Sequence, residues 1–146
     1  MEATGTWEGG HRTRLSDGRG HEVVVDLPLD EGGQDVGPSA LELQVLALAG
    51  CISTIFLLVA RRRRISLSSL VVHLEAHRPP GAATLTSVDG TFKVTTTHSL
   101  EEVSTALSIT LRTCPVGVLF EQARVPVHVR PIVVPPTPPL TEPSLR

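Results

Sequence analysis

The sequence predicts a single globular domain that mixes β-strands with α-helices, and three observations carry that reading. Its 146 residues suffice for one core and are too few for two independent domains. Segments of period-2 alternation stand beside one long apolar run free of proline and one amphipathic run with helical spacing. The composition, 40% hydrophobic and 19% charged, is that of a folded chain rather than a disordered or fibrous one.

Charge and aromatic content then exclude whole classes of partner. Thirteen basic against fifteen acidic residues leave a net charge of -2, without the positive field that draws a protein to nucleic acid. Trp7, Phe56, Phe92 and Phe120 are the only aromatics, too few for a base-stacking platform, so the core must be built mainly from Leu and Val. Cys51 and Cys114 are too far apart in sequence for a CxxC pair and too few for a disulfide framework. No basic-then-apolar leader opens the sequence, and a reducing cytoplasm is the expected setting.

In chain order, HEVVVDLP has the alternation of a strand, and Ser16-Asp17-Gly18 before it is a turn, which predicts a small antiparallel meander in the first 30 residues. DEGGQDVG, residues 30–37, is a loop, after which Pro38 stands where a helix can start because its missing N–H would be unpaired there. The next stretch, ALELQVLALAGCISTIFLLVA over 40–60, is apolar nearly all round and closes on Arg61 to Arg64. Its length and basic flank suit a membrane span. Glu42, Gln44, Ser53 and Thr54, together with the soluble pattern that follows, favour a buried helix whose arginines are solvated and complement the helix dipole. No membrane partner is expected.

SSLVVHLEAH, residues 68–77, alternates as a half-buried strand. In TLTSVDGTFKVTTTH, residues 84–98, Asp89-Gly90 suggests a hairpin, while one long strand with a bulge at Gly90 fits as well. Ser99-Leu100-Glu101-Glu102 has the form of a capping box, and apolar residues then recur at helical spacing to about 112, delivering Cys114 at the end. Pro115 starts a short helix through Phe120 and Ala123, and Val125, Val127 and Val129 alternate in a final edge strand. The proline-rich residues 131–146 are expected to form a mobile tail beyond a domain of residues 1–130.

Two cysteines are the candidate chemical groups. Gly50 inside a helix costs about 1 kcal/mol relative to alanine, so its place beside Cys51 predicts close approach by another backbone. Cys114 precedes Pro115 at a helix start, where free N–H groups and the dipole favour a thiolate, and on that ground it is the more acidic thiol. Each taken alone reads most simply as a small buried hydrophobe. His73, Glu75 and His77 share one strand face at a spacing open to zinc, although a solvated outer face is the simpler account.

Taken together, GPSALELQVLALAGC (37–51) and TALSITLRTCPV (105–116) resemble the two signature segments of the OsmC/Ohr family of peroxide-reducing proteins. The resemblance runs from about Trp7 to Val129 and includes the GHEVVVDLP…GG lead-in. It implies an α+β fold of the OsmC type, in which antiparallel sheets of two chains wrap around long central helices in an intertwined homodimer. Such a dimer explains a helix apolar on every face, since a partner chain covers it without lipid. The resemblance also favours a single strand over 84–97 with the bulge at Gly90.

Its implied chemistry makes Cys51 the peroxidatic thiol and Cys114 the resolving one, reversing the order given by the helix dipole. Cys51 would attack an organic hydroperoxide to give a sulfenic acid, Cys114 would close a disulfide, and a lipoyl or thioredoxin-like dithiol would reopen it. No metal, flavin or haem is needed. A lining of Leu48, Ile52, Ile55 and Phe56 suits an organic rather than an inorganic peroxide. The family also places an arginine from the N-terminal strands beside the reactive thiol, and Arg12, then Arg14, best match it, with Arg19 in the same region. In better characterised members a glutamate after the proline of an "NPE" motif holds that arginine. Here Ala40 replaces the proline and Leu41 the glutamate, with Glu42 one position later, about 100° around the helix. Either Glu42 substitutes or the clamp is absent, and absence would favour a small-molecule-binding module of the same fold without efficient peroxidase activity.

Overall fold

The structure, a computed structural model, describes residues 1–137. They cluster into two compact units, Met1–Leu48 and the residues from Ala49 onward.

The first unit contains the predicted meander: β1 (Thr4–Gly9), β2 (Arg12–Ser16) and β3 (Glu22–Val25) form an antiparallel sheet in that order. Gly9 and Gly10, both at positive φ, turn β1 into β2, and the Trp7 indole N–H donates to the Gly10 carbonyl at 2.9 Å. Asp17 organises the next turn by accepting from the backbone N–H of Arg19 at 2.9 Å and of His21 at 3.2 Å. Beyond β3, buried Asp26 accepts from the N–H groups of Leu27 and Gln34, both at 2.9 Å, and so pins the predicted loop. Gly33 and Gly37 belong there because a Cβ would collide with the carbonyl oxygens of Leu27 and Val24.

Helix α1 (Ala40–Arg63) begins in the first unit and ends in the second. Its start is set by Ser39 rather than by Pro38. The Ser39 hydroxyl accepts from Glu42 N–H at 3.3 Å and the Glu42 carboxylate accepts from Ser39 N–H at 2.7 Å, a capping box. At its other end Arg64 turns left-handed (φ 59) and Ile65 N–H donates to the Ala60 carbonyl at 2.9 Å, with Ile65 buried. Arg61, Arg62 and Arg63 are exposed in the last turn, the solvated C-terminus expected of them.

In the second unit β4 (Ser69–His77), β5 (Ser87–Thr95) and β6 (Val127–Val134) form a sheet in that order, with α2 (Leu100–Thr113) and α3 (Pro115–Gln122) between β5 and β6. The single-strand reading of the Asp89-Gly90 segment holds, but the bulge does not occur. Pairing runs unbroken from Ser69↔Thr95 to His77↔Ser87. Gly90 instead answers a close approach, because a Cβ there would strike the His73 carbonyl oxygen.

A second correction concerns strand direction. β6 pairs with β5 in parallel, from Val88↔Val127 to Thr95↔Val134, so this sheet is mixed rather than antiparallel. The two intervening helices supply the crossover that a parallel pair requires. The strand also continues through Pro131 to Val134, residues expected in the mobile tail. An edge strand tolerates Pro131 because one side of it needs no ladder donor. The remainder of the expected tail, from residue 138, lies outside the described residues.

The core of this unit gathers Ile52 and Phe56 of α1, Val88, Phe92 and Val94 of β5, and Val103, Ala106 and Leu107 of α2, all 0–2% exposed. Phe56 and Phe92 meet with ring centroids 4.5 Å apart, tilted by 57°. The capping box predicted for α2 forms: Ser99 Oγ accepts from Glu102 N–H at 3.2 Å and the Glu102 carboxylate accepts from Ser99 N–H at 2.9 Å. Those bonds and His98 beside it hold the Glu102 carboxyl down at about 2.

Candidate functional site

Cys51 and Cys114, separated by 63 positions in sequence, meet in the second unit with their sulfurs 2.8 Å apart. Cys51 lies on α1 one position before buried Ile52, half-buried itself. Cys114 is fully buried at the junction of α2 and α3, where it closes one helix and caps the next. Pro115 makes that junction: it cannot continue α2, yet it fits the first position of α3.

The Cys114 thiol does not move in the direction the helix start predicts. Cys114 does receive the expected donor, Gly117 N–H at 3.4 Å. Burial and the contact with Cys51 outweigh it, however, and push the Cys114 thiol up to about 11. The dipole argument fails because the thiol is sealed in the core rather than placed at an open helix end. Cys114 is therefore the proton holder, its S–H donating to Cys51 Sγ.

Arg12, Arg14 and Glu42 belong to the first unit. Arg14 Nε donates to Glu8 Oε1 at 2.7 Å and its NH1 lies 3.3 Å from Glu22 Oε2, while Arg12 Nε lies 3.2 Å from Glu8 Oε2. Arg19 pairs with Asp17 at 2.8 Å in the β2–β3 turn. Glu42 spends its carboxylate on Ser39 and forms no ion pair among the described residues. The carboxylate on the two arginines is Glu8, which sequence reasoning missed. An acidic residue just before a hairpin turn, facing an Arg-x-Arg on the returning strand, is the signal that would have found it.

The close approach predicted at Gly50 does not occur among the described residues. A Cβ there would meet nothing within 4 Å, and the residue lies on an exposed stripe of α1 with Leu46, Leu57 and Leu58, each 48–56% exposed. On the outer face of the second sheet, His73 pairs with Glu75 at 3.1 Å and His77 with Asp89 at 3.3 Å. His73, Glu75 and Asp89 line, with Thr91, His128 and Arg130, part of an open depression of about 670 Å³. Among the described residues no three His, Cys, Asp or Glu side chains come together to hold a metal.

The family described as OsmC-like protein matches residues 32–130, a span that holds both cysteines. The chain belongs to the OsmC-like family. Solved structures agree with this fold. An OsmC-like protein from Mycoplasma pneumoniae superposes with TM-score 0.81 at 15% identity, covering 91% of this chain and 96% of its own. An organic hydroperoxide resistance protein OsmC from Legionella pneumophila gives 0.67 at 20%, covering 90% and 94%. An OsmC-like protein of unknown function from Vibrio cholerae gives 0.72 at 16%, covering 91% and 97%. No curated protein sequence matches. The OsmC-like fold is thus shared by proteins named for hydroperoxide resistance and by others without an assigned role. α1 is long and apolar enough to cross a bilayer by length and composition alone, with 28% of its most apolar window buried, and the family match runs through it.

Proposed function

We propose that this OsmC-like protein is a thiol-dependent peroxidase acting on organic hydroperoxides, and the 2.8 Å contact between Cys51 and Cys114 is the observation that carries the reading. The Cys51 thiolate attacks one oxygen of the peroxide, the O–O bond breaks, and the alkoxide leaves to take up a proton as the alcohol. Cys51 is then a sulfenic acid. The Cys114 sulfur bonds to it and water departs, leaving a disulfide. An external lipoyl or thioredoxin-like dithiol reduces that bond by exchange and becomes a disulfide itself. Net, one hydroperoxide and one dithiol give an alcohol, water and a disulfide, with no cofactor.

Roles follow from chemistry and burial. Cys51 is the accessible sulfur and Cys114 the buried proton holder. Arg12 is the cation that stabilises the thiolate and the developing alkoxide, with Arg14 the second choice. Aliphatic residues Leu48, Ile52 and Ile55 with Phe56 suit an apolar peroxide tail. The exposed stripe of α1 is covered by a second copy of the chain: Gly50 leaves room for a partner backbone and the leucines supply apolar area. The setting is a reducing cytoplasm.

Purified protein, cumene hydroperoxide and dihydrolipoamide test the proposal. Consumption that disappears in Cys51→Ser supports it, and no consumption with any dithiol while Cys51 stays reduced overturns it. Glu42's commitment to the α1 cap favours one rival, a dimeric binding module without efficient peroxidase activity. That rival predicts Cys51 unoxidised after exposure to peroxide.

A further inference from the structure

We infer that Glu8 is a positioning residue that sorts the two N-terminal arginines, committing Arg14 to the sheet and leaving the outer edge of Arg12 free to meet an anion. The inference begins with strand register. Trp7 pairs with Thr13 and Gly9 with Arg12, so β1 carries one more residue than β2 here, and Glu8 is the unopposed one. A bulge of this kind re-aims its side chain. The result is a single carboxylate facing two arginines that alternate onto one face of β2.

The two contacts differ in kind. Arg14 has an aligned bond to Glu8 Oε1 at 2.7 Å and a second carboxylate, Glu22, at 3.3 Å, so both sides of its guanidinium are occupied. Arg12 Nε sits 3.2 Å from Glu8 Oε2 but is buried without an aligned hydrogen bond. Its NH2 reaches only the Glu8 carbonyl oxygen, at 3.5 Å, and its NH1 has no partner among the described residues. Glu8 therefore restrains the Arg12 stem while the terminal nitrogens stay unsaturated. A guanidinium drawn to a carboxylate by charge alone on its Nε side and open at its fork is arranged to bind an oxyanion or thiolate. On the peroxidase reading that anion is the Cys51 thiolate or the departing alkoxide; the sorting of the arginines stands apart from it.

Phenylglyoxal, which attacks free guanidinium nitrogens, reads this sorting directly when modification is mapped by mass spectrometry on the native protein. Arg12 is expected to react about tenfold faster than Arg14, the margin that the two charge-assisted bonds on Arg14, one to Glu8 and one to Glu22, allow. Glu8→Ala should collapse that margin. Glu22→Ala, which removes the same charge from the same sheet, should leave Arg12 unchanged. Glu8→Gln is the isosteric second variant should the alanine form fail to fold. The pH midpoint of Cys51 alkylation is the functional readout, rising in Glu8→Ala and not in Glu22→Ala. Equal reactivity of the two arginines in the unmutated protein, or indifference to Glu8, overturns the inference. Preferential Arg12 modification in a protein that consumes no peroxide would leave Glu8's role standing and remove the peroxidase reading.

Discussion

Replacing either cysteine should produce sharply unequal defects, because only one sulfur is chemically available. Burial first, then the hydrogen bond to Cys51, raises the Cys114 thiol to about 11. At pH 7 about one Cys114 in 10⁴ is then a thiolate, and at pH 9 still only about one in 100. Since the thiolate is the nucleophile, a reaction forced through Cys114 at pH 7 starts roughly 10⁴-fold behind an ionised thiol. Cys51→Ser should therefore remove nearly all peroxide consumption, since Cys114 offers only that trace of thiolate. Cys114→Ser should consume about one equivalent of peroxide and stop at a sulfenic acid on residue 51, for want of a partner. The assay adds one equivalent of cumene hydroperoxide to reduced protein, traps sulfenic acid with dimedone and locates the adduct by mass spectrometry. Dimedone on Cys114, or equal losses in the two variants, would refute the assignment.

Four further outcomes follow from the packing. Phe92→Ala removes a fully buried ring from its contact with Phe56 and should cost about 3–5 kcal/mol, read by denaturant unfolding. Ser99→Ala should cost about 1 kcal/mol as a lost helix cap. The same cap predicts acid sensitivity. The Glu102 carboxyl lies near 2 when folded, below its ordinary value of about 4.3, so its contribution is present above that value and lost as pH falls towards 2. A melting temperature that holds constant from pH 5 to pH 2 would refute this. Leu57→Arg places a charge in the exposed stripe of α1 and tests the proposed second copy on it: with that copy the unmutated protein sediments as a dimer at micromolar concentration and the variant as a folded monomer.

Much of this architecture was legible because local chemistry and tertiary structure agree. The Ser99–Glu102 box, the alternation of β4 and the Pro115 break each act within a few residues, and each stands where the sequence puts it. The failures share a cause of another kind. Gly90 looks like a turn residue, yet its reason is a carbonyl on a neighbouring strand. Pro131 looks like the start of a tail, yet its edge position removes the penalty that would end a strand. Parallel pairing of β5 with β6 depends on where a two-helix crossover returns, which no local pattern encodes. The cysteines were legible by motif, whereas Glu8 on β1 was hidden because a one-residue register shift re-aims it.

The Cys114 thiol shows why magnitudes rather than motifs decide chemistry. A helix start stabilises a nearby negative charge by about 0.3–1 kcal/mol when exposed. The rise of the Cys114 thiol from 9.0 to about 11 corresponds to roughly 2–3 kcal/mol in the other direction. The single donor from Gly117 cannot close that gap. Cys114 therefore keeps its proton at neutral pH, and the sulfur it would reach in the proposed cycle is already in contact. Burial thus suits Cys114 to resolution, since attack within a preformed pair is intramolecular and tolerates a scarce thiolate that an encounter with dilute peroxide would not. If opening the core under α3, for instance by Phe120→Ala at its buried position, lowered the Cys114 thiol and speeded its alkylation without changing that of Cys51, burial would be confirmed as the cause. Unchanged Cys114 alkylation in that variant would return the decision to the helix ends.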